Sequence, residues 1–170
     1  MRELEKEYLA KSIPKGLKNC EHKEVIDIYI PKESFHPVVR IRKNGDKFRV
    51  TKKVPVDDKG HFDEQTVKLT KEEFNALKDV DGRKVHKIRY IYSYKGYTAE
   101  IDVFQEPLKG LIIVEFEFPT FKEKDSFEMP DFCLADITSE EFTAGGFICG
   151  KSLEDLKKVL DKYGYKKLIL

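Results

Sequence analysis

Charged and apolar side chains alternate along most of this chain, and this two-residue period constrains the fold more than any other feature. Residues two apart on a β-strand lie on the same side of a sheet. In the segment 114–118, Glu115 and Glu117 would therefore share one face while three apolar residues share the other. The period predicts eight strands, at residues 2–10, 24–30, 37–43, 47–54, 61–69, 85–94, 97–105 and 111–118.

Short turn-forming segments separate these strands, which favours an antiparallel meander over parallel strands joined by helices. An Asn-Gly pair at 44–45 closes a tight hairpin, and a Lys-Gly pair at 95–96 marks a second reversal. The segments 34–37 and 122–130 are predicted to be loops. A chain of 170 residues suits one domain, here predicted over residues 1–170.

Two helices are predicted, at residues 70–79 and 152–163. Thr70 and Ser152 each precede an acidic residue by three positions, which is the spacing of a capping box. After Ser152, leucine and valine residues recur at helical spacing, and Gly164 ends the pattern. The predicted class is therefore mainly β (α+β), with flanking helices that include a C-terminal one.

The charged faces of six predicted strands each carry predominantly one sign. The acidic groups are Glu3, Glu5 and Glu7, then Glu100 and Asp102, then Glu115 and Glu117, and the basic groups are Arg40 and Arg42, then Arg49 and Lys53, then Lys87 and Arg89. For any single strand, an ordinary sheet with one buried and one solvated face is the simpler interpretation. A solvated face usually mixes signs and polar residues, however, so the repetition predicts a barrel with a charged interior.

A charged interior is tolerated only when water, counter-ions or a charged ligand fills it, because like charges repel strongly at low dielectric. A triphosphate with divalent metal ions would satisfy both signs. Arginines bind phosphate oxygens through paired hydrogen bonds, and carboxylates bind Mg²⁺ or Mn²⁺. The expected partner is a small-molecule triphosphate or polyphosphate.

Composition argues against several other classes of protein. The 32 basic and 31 acidic residues give a net charge of +1, which predicts no nucleic-acid and no membrane partner. The three cysteines, Cys20, Cys133 and Cys149, are odd in number and lack CxxC spacing, which argues against a disulfide framework or zinc site and favours the cytoplasm. A polar N-terminus and the lack of an apolar run near ~18 residues predict neither a signal peptide nor a membrane helix.

The ordered set of charged motifs resembles the CYTH family, also called triphosphate tunnel metalloenzymes. The matching segments are Glu3-Leu4-Glu5-Lys6-Glu7, Val39-Arg40-Ile41-Arg42, Val50-Thr51-Lys52-Lys53, Lys87-Ile88-Arg89-Tyr90, Glu100-Ile101-Asp102-Val103-Phe104, Val114-Glu115-Phe116-Glu117 and Asp136-Ile137-Thr138. They resemble, in order, the family's ExExK, paired-arginine, Thr-x-Lys, KxR, xxDxF and ExE strands and an acidic residue before Val-Thr. The resemblance implies a closed eight-stranded antiparallel β-barrel, or tunnel, and metal-dependent hydrolysis of an inorganic, organic or nucleoside triphosphate.

The resemblance also assigns roles to individual residues. The implied metal ligands for Mg²⁺ or Mn²⁺ are Glu3, Glu5, Glu100, Asp102, Glu115 and Glu117. The implied substrate-binding residues are Arg40, Arg42, Lys53, Lys87 and Arg89, to which Arg49 is added because it lies on the same face of its strand as Lys53. Catalytic roles are expected for Glu3, Glu5 and Lys53, while Glu64 is a weaker acidic candidate. A homodimer is left open.

Glu7 departs from the family motif, because it stands where the family has a lysine. Lys6 cannot replace that lysine on a regular strand, since it points to the other face. Arg49 is a candidate to compensate for the missing positive charge. Because of Glu7, one alternative is a non-catalytic module that binds polyphosphate or a nucleotide. Another alternative is a class IV-type adenylate cyclase, which would use the same tunnel.

Other candidate sites receive less support. Residues 145–152 fit GxxxxGK[ST], but no buried strand precedes them and too few residues follow for a parallel sheet, so a glycine-rich turn with Ser152 as a helix cap is preferred. The four histidines show no metal-ligand spacing, and His86 is expected to be packed. Tyr90, Tyr92 and Tyr94 lie opposite the basic face of their strand and are predicted to pack in the core.

Overall fold

The computed structural model describes residues 4–34, 38–56 and 62–170, without the side chains of Pro55 and Phe62. Nine β-strands lie in these ranges: β1 Glu5–Ala10, β2 His22–Ile30, β3 Val39–Asn44, β4 Lys47–Pro55, β5 Phe62–Leu69, β6 Arg83–Tyr94, β7 Tyr97–Phe104, β8 Ile112–Glu117 and β9 Cys133–Asp136. The helices are α1 Lys71–Leu77, α2 Phe121–Ser126, α3 Gly145–Ile148 and α4 Lys157–Lys162, with 3₁₀ turns at Leu17–Asn19 and Glu141–Thr143.

The strands form one sheet in the order β5-β4-β3-β2-β6-β7-β8-β1-β9, and each pair whose register is described is antiparallel. The predicted mainly β, antiparallel class is confirmed. Within the described ranges β5 and β9 are the two ends of the hydrogen-bonded order, so a closed eight-stranded barrel is not confirmed.

All eight predicted strands are present with small differences at their ends, and β9 is an additional one. The alternation of charge could not reveal β9, because this strand has only four residues and one acid. It pairs with β1 through a register shift between Leu9 and Ala10. This irregular pairing with a distant segment depends on tertiary structure and leaves little local signal.

The helix predicted at 70–79 is confirmed as α1. Thr70 Oγ1 accepts a hydrogen bond from the amide of Glu73 at 3.2 Å, and the Glu73 carboxylate accepts one from the amide of Thr70 at 2.7 Å. Both halves of the capping box are therefore formed. These bonds satisfy amide groups that have no partner within the first turn of a helix.

Two other predictions, a helix at 152–163 and a loop at 122–130, need correction. Ser152 and Asp155 form the predicted capping contacts, but residues 153–156 are tight turns, and regular helix begins only at Lys157, in α4. The loop predicted at 122–130 is wrong over its first part, which belongs to α2. Thr120 caps α2 by accepting a hydrogen bond from the amide of Glu123 at 3.2 Å, so the missed signal was a Thr-x-x-Glu sequence.

The chain groups into two compact units. Unit 1 comprises residues 1–23, 87–141 and 151–170, and unit 2 comprises residues 24–86 and 142–150. The prediction of a single domain stays a prediction. No helix in the described ranges is both long and apolar enough to cross a membrane.

Unit 1 has a core rich in aromatic residues on the apolar side of its strands. Phe116 on β8 packs against Phe127 with ring centroids 4.6 Å apart and against Tyr8 on β1 at 6.3 Å. Tyr90, Tyr92 and Tyr94 also pack against this cluster, as predicted. Because successive residues face opposite sides of a strand, the buried residues of unit 1 leave its charged residues together on the other side.

Unit 2 has a smaller core of its own, formed by Ile28 on β2, Ile41 on β3 and Phe74 on α1. Phe48 on β4 packs against Phe74, with ring centroids 5.0 Å apart. Helix α1 therefore covers the apolar side of these strands. The arginines lie on their other side.

Candidate functional site

The predicted acidic residues of unit 1 that the structure describes lie on one face of three neighbouring strands, β7, β8 and β1. Glu115 on β8 is directly opposite Glu100 on β7 and also directly opposite Glu7 on β1. Glu5 is opposite Glu117 in the same strand pair. Residues directly opposite each other in an antiparallel pair point to the same side of the sheet. The structure therefore brings together carboxylates that are distant in sequence, while Glu3 lies outside the described residues.

Arg89 on β6 joins this face as its central cation. Its Nε and Nη2 each donate to the carboxylate of Asp102 at 2.7 Å, and its Nη1 donates to Glu100. Lys87 also donates to Asp102, which is only 3% exposed. Burial works against ionisation of Asp102, but Lys87 and Arg89 outweigh it and hold its pKa below the ordinary value. The two predicted phosphate ligands of unit 1 are thus engaged with acidic side chains.

Glu115 experiences the excess of negative charge most strongly. Burial, followed by repulsion from Asp102, Glu5 and Glu100, raises the pKa of Glu115 to about 7, although Arg89 acts in the opposite direction. Nη2 of Arg89 lies 3.5 Å from the Glu115 carboxylate. A further cation near Glu115 would relieve this repulsion.

The carboxylates of unit 1 have suitable chemistry for a divalent metal ion, since Mg²⁺ and Mn²⁺ prefer oxygen ligands. In the described part of the chain, however, no three Asp, Glu, His or Cys side chains are arranged as a ready ligand group. A shallow pocket of about 390 Å³ opens beside these acids. Its lining includes Glu100, Glu117, Glu123 and Tyr97.

The predicted basic residues of unit 2 also share one face. Arg42 on β3 is directly opposite Arg49 on β4 and Asp27 on β2, while Arg40 is directly opposite Tyr29 on β2. Two further basic residues on this face are Lys53, opposite Glu64, and Lys68, opposite Arg49. Lys53 and Glu64 are exposed, in keeping with their position towards the end of this sheet region.

Arg40, Arg42 and Arg49 of unit 2 crowd one another, and among the described residues only Arg42 has a fully buried acidic partner. Asp27, which is 2% exposed, accepts hydrogen bonds from Arg42 Nε at 2.5 Å and Nη2 at 2.6 Å. The Nε atoms of Arg40 and Arg49 are buried without a hydrogen-bond partner among the described residues. Burial, followed by repulsion from Arg42 and Arg40, lowers the pKa of Arg49. This environment favours an anion, because a buried cation and its donors need partners.

Hydroxyl groups complete the basic face. Thr51 Oγ1 lies 2.9 Å from Thr66 Oγ1, and Thr51 is only 3% exposed. The hydroxyl of Tyr29 is so close to Gly145 on α3 that a Cβ atom there would lie 2.1 Å from it. Gly145 is therefore needed to bring α3 against Tyr29, a packing role unrelated to the GxxxxGK[ST] pattern.

Sequence reasoning missed Asp27, Tyr29 and Lys68 on this face. Asp27 was the most visible of them, because it is an acid that interrupts an apolar run two positions before Tyr29. The other acid of this strand, Glu24, lies on the opposite face, so the pattern of paired charges could not identify Asp27. Its significance depends on Arg42, which lies 15 residues away in sequence.

The sites that received less support from the sequence have structural roles here. A 3₁₀ turn at Glu141–Thr143, not a strand, precedes Gly145–Ile148, so this segment lacks the strand context of a phosphate-binding loop. Ser152 forms the predicted capping bonds with Asp155. His86 was expected to be packed, but it is partly exposed, with Nε2 3.0 Å from Glu24 Oε1.

The chain is similar to known proteins over a short part of its sequence and over most of its fold. No family model matches the chain. An inorganic triphosphatase of Acetivibrio thermocellus is 34% identical over 56 residues, which are 33% of this chain and 35% of that protein. The match thus spans about a third of the length of the curated relative.

The structural comparison covers far more of the chain. The crystal structure of the inorganic triphosphatase NE1496 matches with a TM-score of 0.71 and 21% identity, over 89% of this chain and 96% of that one. A second crystal structure, of the hypothetical protein NE1496, matches with the same TM-score and 23% identity, over 89% and 99% of the two chains. At this level of identity the likeness shows a common fold.

Proposed function

We propose that the chain hydrolyses a triphosphate in a metal-dependent reaction, because it shares its fold with the inorganic triphosphatase NE1496 and its charged motifs resemble those of the CYTH family. The substrate would be inorganic triphosphate or an organic or nucleoside triphosphate. The observation that carries this proposal is the arginine cluster of unit 2, where the buried Nε atoms of Arg40 and Arg49 have no partner among the described residues. The partial sequence match to an inorganic triphosphatase supports the choice of reaction.

The basic residues would bind and orient the phosphates. Arginine recognises phosphate through paired, charge-assisted hydrogen bonds, which Arg40 and Arg49 are able to donate. Arg42, whose Nε and Nη2 already donate to Asp27, would add positive charge beside them. Lys53 would add a positive charge at the exposed end of this face. Positioning and neutralisation of charge are the main contributions of a protein to phosphoryl transfer.

The acidic residues would hold Mg²⁺ or Mn²⁺. The proposed ligands are Glu3, Glu5, Glu100, Asp102, Glu115 and Glu117, and the raised pKa of Glu115 is the observation that favours a cation there. When bound, such a metal ion neutralises phosphate charge and makes water more acidic. Lys87 and Arg89 would hold Asp102 and Glu100 in position. The catalytic assignments of Glu3, Glu5 and Lys53 are part of this proposal, as are a closed tunnel and a cytoplasmic location.

A panel of triphosphates, incubated with the chain and Mg²⁺ or Mn²⁺, tests the proposal directly. We expect release of phosphate that stops when the metal is chelated and falls at least about tenfold in Arg40→Gln, since a charged hydrogen bond contributes more than about 1.4 kcal/mol. Lys32→Gln is the matched control, because Lys32 forms an exposed ion pair with Asp81 and is not one of the proposed phosphate ligands. Cyclic nucleotide as the product would instead identify a cyclase, and no product with any substrate would contradict the proposal.

Binding without turnover is the second candidate function, and the position of Glu7 favours it. Glu7 lies on the acidic face, opposite Glu115, where the motif has a lysine. Lys6 does not replace that lysine, since its Nζ donates to the carbonyl of Phe127 on the other side of the strand at 3.1 Å. If the site has lost activity through this change, Glu7→Lys should gain hydrolysis while the parent chain shows only binding. A parent chain that hydrolyses and a variant that does not would contradict this second candidate.

A further inference from the structure

Asp27 is an acidic residue inside the arginine cluster of unit 2, and the proposed hydrolysis gives it no role. It lies on β2 between Ile26 and Ile28 and is 2% exposed. Both of its carboxylate oxygens accept hydrogen bonds from Arg42, at 2.5 and 2.6 Å. Asp27 therefore occupies the edge of the Arg42 guanidinium that carries Nε and one terminal nitrogen.

That edge is one that arginine uses to bind a phosphate through two parallel hydrogen bonds. An anion entering the cluster can receive such a pair from this edge of Arg42 only if Asp27 releases it. The Nε atoms of Arg40 and Arg49, in contrast, have no partner among the described residues. The cluster thus contains one arginine whose charge is already balanced and two whose Nε donors are unsatisfied.

We propose that Asp27 is a resident counter-anion that lowers the affinity of this arginine cluster for phosphate anions by competing with them for Arg42. The inference rests on the proposed function for the identity of the anion, a triphosphate, but not for its hydrolysis. A resident anion of this kind limits how tightly a highly charged substrate or product is held. It would favour release of the product from a site that otherwise contains three neighbouring arginines.

The field of Asp27 extends beyond Arg42. Burial and the charges of Arg42 and Arg40 lower the pKa of Arg49, whereas the charge of Asp27 acts in the opposite direction. Its carboxylate therefore offsets part of the repulsion within the cluster. Removing this one charge should leave an excess of positive charge, which an added anion would then balance.

Titration calorimetry with inorganic triphosphate and metal-free protein tests the proposal. Asp27→Asn keeps the size of the side chain and removes its charge. We expect the Kd of Asp27→Asn for triphosphate to be at least about tenfold lower at low salt. The lost carboxylate is a full negative charge in a partly buried site, where it would repel the bound anion strongly. We also expect a steeper loss of affinity as salt is added. A merely structural role for Asp27 would weaken binding, not strengthen it.

Glu24→Gln is the matched control. Glu24 is on the same strand as Asp27 but on its opposite face. It forms an ion pair with Lys43, and its Oε1 lies 3.0 Å from His86 Nε2. Its replacement removes one negative charge and one ion pair from β2 without touching the arginines. Triphosphate affinity should stay close to that of the parent chain, so a gain in this variant equal to that of Asp27→Asn would overturn the proposal.

The remaining outcomes separate the two proposals. If Asp27→Asn binds triphosphate with the same or lower affinity than the parent chain, the counter-anion proposal is overturned, whether or not the parent chain hydrolyses triphosphate. Tighter binding in Asp27→Asn together with no hydrolysis by the parent chain supports the counter-anion and overturns the hydrolysis alone. Absence of binding in both metal-free proteins overturns the counter-anion proposal, while phosphate release in the presence of metal decides the hydrolysis proposal separately.

A folding measurement covers the case in which Asp27→Asn is unfolded by itself, since Arg42 would lose a buried partner. Circular dichroism would then follow the variant during a titration with inorganic triphosphate. We expect the anion to replace the missing carboxylate and restore the β-sheet signal. A variant that remains unfolded at every triphosphate concentration would overturn the proposal.

Discussion

The guanidinium of Arg89 contacts acidic side chains on two neighbouring strands of unit 1. It donates to Asp102 and Glu100 on β7 and approaches Glu115 on β8. Although burial disfavours its charge, the hydrogen bonds and charges of these acids raise the pKa of Arg89 above its ordinary value. The positive charge of Arg89 is therefore favoured by its acidic neighbours. The alternation of charged and apolar residues on β6 predicted which face carries Arg89. It could not show which acidic residues Arg89 contacts.

Glu115 provides a pH-dependent test at this scale. Its pKa is raised to about 7, so the folded chain holds this proton more tightly than the unfolded chain does. The resulting stabilisation is complete below the ordinary pKa of 4.5 and is lost as the pH rises through about 7. Glu115→Gln should therefore gain up to about 3 kcal/mol of unfolding free energy over the parent chain between acidic and mildly basic pH.

Urea denaturation at both ends of that pH range, with a metal chelator present, measures the difference between the two proteins. Glu117→Gln is the control, because Glu117 lies on the same strand and face but is exposed. It should show no comparable pH-dependent gain. A parent chain and Glu115→Gln whose stabilities change in parallel with pH would contradict the burial of this carboxyl group.

At the scale of elements, α1 stabilises unit 2 mainly through one side chain. Phe74 is 4% exposed and packs against Phe48, Ile28 and Ile41, whereas Leu77, one turn later on the same helix, is 37% exposed. Phe74→Ala should lower the unfolding free energy by about 3–5 kcal/mol, because it removes a buried ring and leaves a cavity. Leu77→Ala should cost about 1 kcal/mol or less.

Denaturant unfolding monitored by circular dichroism compares these two alanine variants. Both replace one apolar residue of α1 by a strong helix former, so helix propensity does not explain a difference between them. The comparison therefore isolates burial of the ring. Similar losses of stability in the two variants would show that α1 does not cover unit 2 as described.

The elements that could be predicted from the sequence are those with a strong local period. Alternation located all eight predicted strands, and the Thr70 capping box located α1. Two elements were not predicted from the sequence. Strand β9 is short and pairs with β1 through a register shift, and α2 is a helix of six residues in a segment bounded by prolines. In α4, good capping residues at 152 and 155 did not start a regular helix at once. Local patterns are outweighed where an element is short.

For the whole molecule, the predictable part of the candidate site was which charges share a face on each strand. The unpredictable part was which strands are neighbours, because pairings such as Glu7 with Glu115 join residues far apart in sequence. Composition hid the arrangement as well, since a net charge of +1 gives no sign of an acidic face in unit 1 or a basic face in unit 2. Counter-ions such as Asp27 emerge only from those pairings.

A ligand that binds the folded chain and not the unfolded one must raise the stability of the whole folded state. Inorganic triphosphate at about a hundred times its Kd should add about 2.7 kcal/mol, which is a rise of about 5–10 °C in Tm for a chain of this size. Differential scanning calorimetry at increasing triphosphate, with sodium chloride at matched ionic strength as the control, measures the shift. In a double variant, Arg40→Gln with Arg49→Gln, most of the shift should disappear, because it removes the two arginines whose buried Nε atoms have no partner in the described part of the chain. A shift that persists in the double variant, or that sodium chloride reproduces, would place triphosphate binding outside the arginine cluster.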